Sequence, residues 1–198
     1  MAWSSPITGD FDSALQAASA TLRELRGQDE PLWTALAAFT AGSTELAVGR
    51  HRDAARHLRQ ARDLTEQFGT TWLAAGSRAQ MGILAVEQGR PEQARQLLDE
   101  ALDLGQATYY RSAIVPLCLS AFARLALAEG DPQRAALLAG AADGLRRRVG
   151  LRAWPMLRRG EADLVAQVRQ ALGAGRFDQV FAAGSGLSHR AAVAAVYG

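Results

Sequence analysis

Gly49-Arg50-His51-Arg52-Asp53-Ala54, Gly89-Arg90-Pro91-Glu92-Gln93-Ala94 and Gly130-Asp131-Pro132-Gln133-Arg134-Ala135 are three versions of one pattern. A fourth, Gly9-Asp10-Phe11-Asp12-Ser13-Ala14, precedes them. Successive glycines are 40, 40 and 41 residues apart, and the alanines at 14, 54, 94 and 135 keep step. A second series of small residues, Gly42, Gly82 and Ala123, falls seven positions before the last three glycines. Two independent series with one period are the signature of a repeat architecture.

Each repeat reads as two helices joined by a turn. The glycine ends the first helix, because the residue beyond a helix C-terminus commonly takes positive φ, where only glycine is free of a Cβ clash. Pro91 and Pro132 follow two residues later, at a first turn where a missing N–H costs nothing. The recurring alanines let the paired helices approach. Helical spacing continues into each second helix, at Ala54, Leu58, Ala61 and Leu64 and at Ala94, Leu97, Leu98 and Ala101. No stretch alternates with period two long enough for a strand. The expected fold is all-α, a right-handed superhelix of helix pairs at 31–48 with 50–67, 70–88 with 91–104, and 107–129 with 132–149. The first repeat is incomplete: Gly9 to Arg26 supplies a second helix with no room for its partner. A preceding repeat of a longer protein, or another molecule such as a second copy in a homodimer, is expected to cover its face.

Residues 1–149 thus form the array, and 150–198 depart from it. A helix is expected from Pro155 to Leu172, stopped by Gly173 and Gly175, with short helices around Phe177 and Ala191. Elements that break the repeat at the end of a solenoid commonly cover its exposed core, so 150–198 read as a capping subdomain.

Composition limits the chemistry. The 198 residues are 48% hydrophobic and 21% charged, enough to bury a core. All 22 basic residues are Arg, which excludes a P-loop lysine and Schiff-base chemistry in this chain. Cys118 stands alone, so neither an internal disulfide nor a thiolate zinc cluster can form. A net charge of +2 is not a nucleic-acid signature. The first residues lack the basic and apolar regions of a signal peptide. The most apolar stretch, Ala113 to Ala128, carries Pro116, Ser120 and Arg124 and is shorter than a bilayer span. A buried helix and a cytoplasmic, non-membrane protein are expected.

The small residue within the first helix and the Gly-x-[aromatic/Pro]-x-x-Ala opening of the second resemble tetratricopeptide repeats, with a period longer than that family's 34. A sharper resemblance covers about 120–196. Leu125-Ala126-Leu127-Ala128-Glu129-Gly130-Asp131-Pro132-Gln133-Arg134-Ala135-Ala136 leads to Leu138, Gly140, Ala141 and Ala142, and later to Phe177-Asp178, Phe181, Gly184, Leu187-Ser188 and Ala192-Val193. This is similar to the end of the helical-repeat region in large actinobacterial ATP-dependent regulators of the LuxR type and their cyclase-linked relatives. The resemblance implies a sensory or scaffolding segment of a transcription regulator, without the ATPase and DNA-reading modules such proteins carry. Ala191 stands where a capping box would put Glu, so Ser188 is expected to cap the last helix alone.

Tetratricopeptide-like arrays turn their first helices to the concave side, where peptides or helices bind. Mapping the repeats places Phe39, Ser43 and Leu46, then Ala79, Ile83 and Glu87, then Leu117, Ser120 and Arg124 in that groove. Trp33, Trp72 and Tyr109, with Tyr110, open the first helices and form a candidate aromatic pocket, or alternatively pack between repeats. Arg146, Arg147, Arg148, Arg152, Arg158 and Arg159 are a candidate patch for an anionic partner, weighed against solvated arginines at a helix C-terminus. His51 and His57 lie about 240° apart around a helix, the wrong spacing for a metal pair. No catalytic constellation, metal or cofactor is expected. The expected function is a non-catalytic module that binds a protein partner or linked regulator domains through its groove. The alternative is a sensor domain for a small-molecule effector, and direct nucleic-acid binding by this segment is not expected.

Overall fold

The computed structural model describes residues 11–198, so Gly9 lies outside it. Among the described residues there are ten α-helices and no strand. They are α1 (Phe11–Glu24), α2 (Pro31–Ala47), α3 (His51–Phe68), α4 (Thr71–Glu87), α5 (Pro91–Ala107), α6 (Arg111–Ala128), α7 (Pro132–Arg148), α8 (Pro155–Leu172), α9 (Ala174–Ser185) and α10 (His189–Ala194). Consecutive helices pack on one another from α1 through α7, and the tightest pairs are α2 with α3, α4 with α5 and α6 with α7.

The glycine punctuation has one physical cause. Gly49, Gly89 and Gly130 have φ of 78°, 69° and 82°. In each case the next residue returns its N–H to the carbonyl five positions back: Arg50 to Glu45 at 2.8 Å, Arg90 to Ala85 at 2.9 Å and Asp131 to Ala126 at 2.8 Å. This is the Schellman termination, which satisfies otherwise orphaned carbonyls and needs a left-handed residue. Gly150 repeats it after α7, with Leu151 N–H on Arg146 O at 2.9 Å.

Ala54, Ala94 and Ala135 are fully buried where paired helices meet. A methyl added at Gly42 would sit 2.7 Å from Leu58 Cγ, and one at Gly82 would sit 2.5 Å from Leu98 Cδ2. The same step in the third pair holds Ala123 and Ala139, both buried. There a methyl is present on one helix and the leucine is absent from the other, so the first helix has room for the methyl that Leu58 and Leu98 exclude.

The two kinds of helix differ in what covers them. The helix α3 is amphipathic, burying Ala54, Leu58, Ala61 and Thr65 on one stripe. By contrast, residues 37–46 of α2 and 114–123 of α6 are buried without a break. A helix buried all round has neighbours on every side. Second helices supply one side, and α8 supplies the other. From the turn after α7, residues 149–154 lead to Trp154, whose ring packs edge-on against Phe39 of α2 (centroids 5.7 Å apart, 83°). The helix α8 then lies against α2, α6 and α7 and buries Met156, Leu164 and Val168.

Residues 150–198 do extend the core, since Leu164, Val168, Phe177, Val180, Ala192 and Val196 join the cluster that runs through α4 to α7. The helices α9 and α10 pack on α7, and α8 packs on α7 as well while turning back over α2 and α6. The contact of α9 with α7 is made by glycines. A Cβ at Gly140 would lie 2.2 Å from Phe181 O, at Gly144 2.1 Å from Ser185 O, and at Gly184 2.0 Å from Leu137 O. Backbone meets backbone at these three points. The last helix is capped by Ser188, whose hydroxyl accepts from Ala191 N–H at 3.2 Å.

The α6 helix, 18 residues with mean hydropathy 1.4, is long and apolar enough to cross a membrane on length and composition alone. Of its residues, 67% are buried within the fold.

Candidate functional site

Between the first helices and α8 a cavity of about 210 Å³ remains. Its floor is built at helical spacing from the first helices: Ser43 and Leu46 from α2, Gln80, Ile83 and Glu87 from α4, and Leu117, Ser120 and Arg124 from α6. The helix α8 closes it with Met156, Leu157, Gly160, Glu161, Asp163 and Gln167. Seven residues read from the sequence as groove-facing are therefore brought together. Two are not: Phe39 is 2% exposed and spent on Trp154, and Ala79 is buried in the core.

The cavity is polar where the fold had no need of polarity. Ser43 and Gln80 are each 1% exposed, yet Ser43 Oγ and Gln80 Nε2 have no hydrogen-bond partner among the described residues. Buried polar atoms without partners are uncommon and cost about 1–3 kcal/mol each. Arg124 reaches the α8 backbone, where a methyl at Gly160 would meet its Nη2. Burial pushes the Arg124 guanidinium below the usual arginine range, and the charges of Glu87, Glu161 and Asp163 pull it back up.

Two of those three carboxylates are already engaged. Glu87 Oε2 is 2.8 Å from His51 Nε2. Glu161 receives both terminal nitrogens of Arg146, at 2.9 and 2.6 Å. Arg146 also donates to Pro116 O and Ser120 Oγ, tying α7, α6 and α8 into one unit beside the cavity. Its charge holds the closing helix in place.

That use of Arg146 takes one member out of the six-arginine candidate patch read from the sequence. Arg146 is only 8% exposed. Arg147 pairs with Asp143 at 2.8 Å and donates to the Ser185 hydroxyl, Arg148 donates to the carbonyls of Ser185 and Leu187, and Arg158 donates to Ala153 O. Arg152 and Arg159 remain exposed. Arg147, Arg148 and Arg158 are exposed as well, so five of the six arginines still present their charge at the surface.

The aromatic pocket is corrected too. Trp72 is half-buried between the core clusters and stacks at 5.6 Å on Tyr110, which meets Tyr109 edge-on at 6.1 Å. Trp33 is 51% exposed and Tyr109 97% exposed, and neither reaches the cavity. These rings mark an edge instead. Leu32, Trp33, Phe68, Tyr109, Tyr110, Val149 and Leu151 are all exposed where second helices end and the next element begins.

His51 and His57 point to separate partners, Glu87 and Glu45 (2.8 Å each). Cys118 is fully buried and desolvation pushes its thiol from 9.0 up to about 12, so it is protonated at neutral pH. Sequence reasoning missed Gln80 and the whole α8 wall. A glutamine inside the otherwise apolar run of α4 was a signal for the first; nothing local marked the second. No protein-family model, no curated protein and no solved structure matches the chain.

Proposed function

We propose that the chain is a non-catalytic sensing module, of the kind found in the tetratricopeptide-like region of cytoplasmic bacterial LuxR-type regulators. A small-molecule effector enters between the concave face of the array and α8, and the position of α8 reports occupancy to linked domains. One observation carries this reading: the chain's own helix covers the groove and leaves behind a cavity with two buried, unpartnered polar side chains. A protein ligand in the same groove would first have to displace α8 from Phe39, Arg146 and the core, so the small-molecule reading takes precedence over an open peptide groove. The exposed aromatic and aliphatic edge from Leu32 to Leu151 supports contact with linked domains or a partner protein on a different face.

Hydrogen exchange of residues 155–172, followed while the protein is screened against a small-metabolite library, tests the reading. Sensing requires at least one compound that binds saturably and slows exchange across α8. If no compound does so, and instead a Trp154→Ala, Glu161→Gln protein gains affinity for helical peptides, the groove serves protein partners.

A further inference from the structure

The polarity of the cavity narrows the class of effector, an inference that rests on the sensing reading above. Its charges answer one another. Glu87 is bonded by His51 and Glu161 by Arg146, and the Arg124 guanidinium lies in the field of Glu87, Glu161 and Asp163. Asp163 itself is exposed to solvent. An ion entering this space would give up hydration and find no free counter-charge inside. What the cavity leaves unanswered is neutral. Gln80 Nε2 on α4 and Ser43 Oγ on α2 are both buried, with no hydrogen-bond partner among the described residues. Leu46, Ile83, Leu117 and Met156 give the lining its aliphatic part.

We propose that the cavity takes an uncharged small molecule with a carbonyl oxygen on an aliphatic body, such as an amide or a ketone. The carbonyl accepts from Gln80 Nε2. The Ser43 hydroxyl, which both donates and accepts, meets the other lone pair or a neighbouring N–H of the ligand. The aliphatic body rests on Leu46, Ile83, Leu117 and Met156, where a polyol would set further hydroxyls without partners. An apolar cavity of about 150 Å³ holds benzene, so this one of about 210 Å³ takes a molecule of roughly eight non-hydrogen atoms. Ser43 and Gln80 belong to the floor and Met156 to α8, so the occupant fills the space beneath the closing helix and holds it to the array.

Amide-detected NMR titration of the full chain with pentanamide and butanone, with pentanoate, pentylamine and glycerol as controls, tests the class. The expected result is saturable shifts with a carbonyl probe, the Gln80 side-chain amide among them, and none with the controls. Ser43→Ala and Gln80→Leu should each weaken that binding by roughly three- to tenfold, the loss of one neutral hydrogen bond. Neither should lower the melting temperature of the free protein, because neither atom gives up a bond there. A lower melting temperature in both variants would make the pair structural and overturn the inference. Binding left unchanged by both variants, or no binding of either carbonyl probe, would overturn it too. Saturable binding of pentanoate, pentylamine or glycerol instead would overturn the class while the sensing reading stood. That reading falls separately, when no metabolite slows exchange across α8.

Discussion

Gly144→Ala separates two forces that act in opposite directions. In an exposed helix, replacing glycine by alanine stabilises by about 1 kcal/mol, since the backbone loses less entropy on folding. In this fold the added methyl would lie 2.1 Å from Ser185 O and 2.8 Å from Ser185 C and Cα. Ordinary carbon–oxygen contacts sit near ~3.3 Å, so the gap is short by roughly 1 Å. The obstructing atoms are backbone, so no rotamer change relieves them; α9 itself has to move. That motion would pull Ser185 from Arg147 and Arg148, which both bond it. Overpacking of this kind costs about 1–3 kcal/mol, and the backbone origin of the clash puts this case toward the upper end. The net expectation is destabilisation by about 1–2 kcal/mol, or a fall of roughly 2–8 °C in melting temperature for a chain of this size. Gly175→Ala is the control. It lies in the first turn of the same helix α9 with nothing within 4 Å of its added Cβ, so it should be neutral or stabilise by up to about 1 kcal/mol. Urea unfolding followed by far-ultraviolet circular dichroism measures both. If Gly144→Ala stabilises as Gly175→Ala does, the α7–α9 backbone contact is not present and the placement of residues 174–198 is wrong.

The remaining predictions concern the latch and the buried thiol. Arg146→Met should destabilise by about 3 kcal/mol, because it strands Glu161 in a half-buried position and removes two further hydrogen bonds to α6. The double variant Arg146→Met, Glu161→Leu should recover most of that loss, a coupling readable from a double-mutant unfolding cycle. Alkaline pH should weaken the fold through Cys118. Its thiol is raised to about 12 in the native state from 9.0, so between those values the unfolded chain has lost a proton that the native chain still holds. Stability is then intact below pH 9 and declines as pH rises toward about 12, and Cys118→Ala should flatten that decline in urea unfolding at matched pH values.

The repeat was legible because its information is local. A left-handed residue at Gly49, Gly89 and Gly130 and the small residues at Gly42, Gly82 and Ala123 each answer a steric demand within one helix pair, so period and spacing carried the helix boundaries to within a few residues. The groove floor was legible for the same reason, since Ser43, Ile83 and Arg124 follow from helical phase once the pairs are known. The path of α8 was not. Its apolar positions at Met156, Leu164 and Val168 say that one stripe is buried, but not against which surface. The clue lay elsewhere, in α2 and α6, whose apolar character on every side already called for a second covering layer. Arg146 misled for a related reason: a run of three arginines looks solvated in sequence, and only the return of Glu161 from α8 makes one of them an interior group. Gly140, Gly144 and Gly184 were visible as residues, but their close approach depends on residues more than forty positions apart in sequence coming together.

Whether the closing helix starts on the face of the array is decided by one contact. Phe39 and Trp154 lie on segments joined by the whole array, yet their ring centroids are 5.7 Å apart. Nuclear Overhauser spectroscopy on protein labelled at phenylalanine and tryptophan should give cross-peaks between the Phe39 ring and the Trp154 indole, lost in Phe39→Leu. A Trp154 indole with no cross-peak to Phe39 and rapid solvent exchange of its N–H would mean an open groove, and the sensing cavity would not exist.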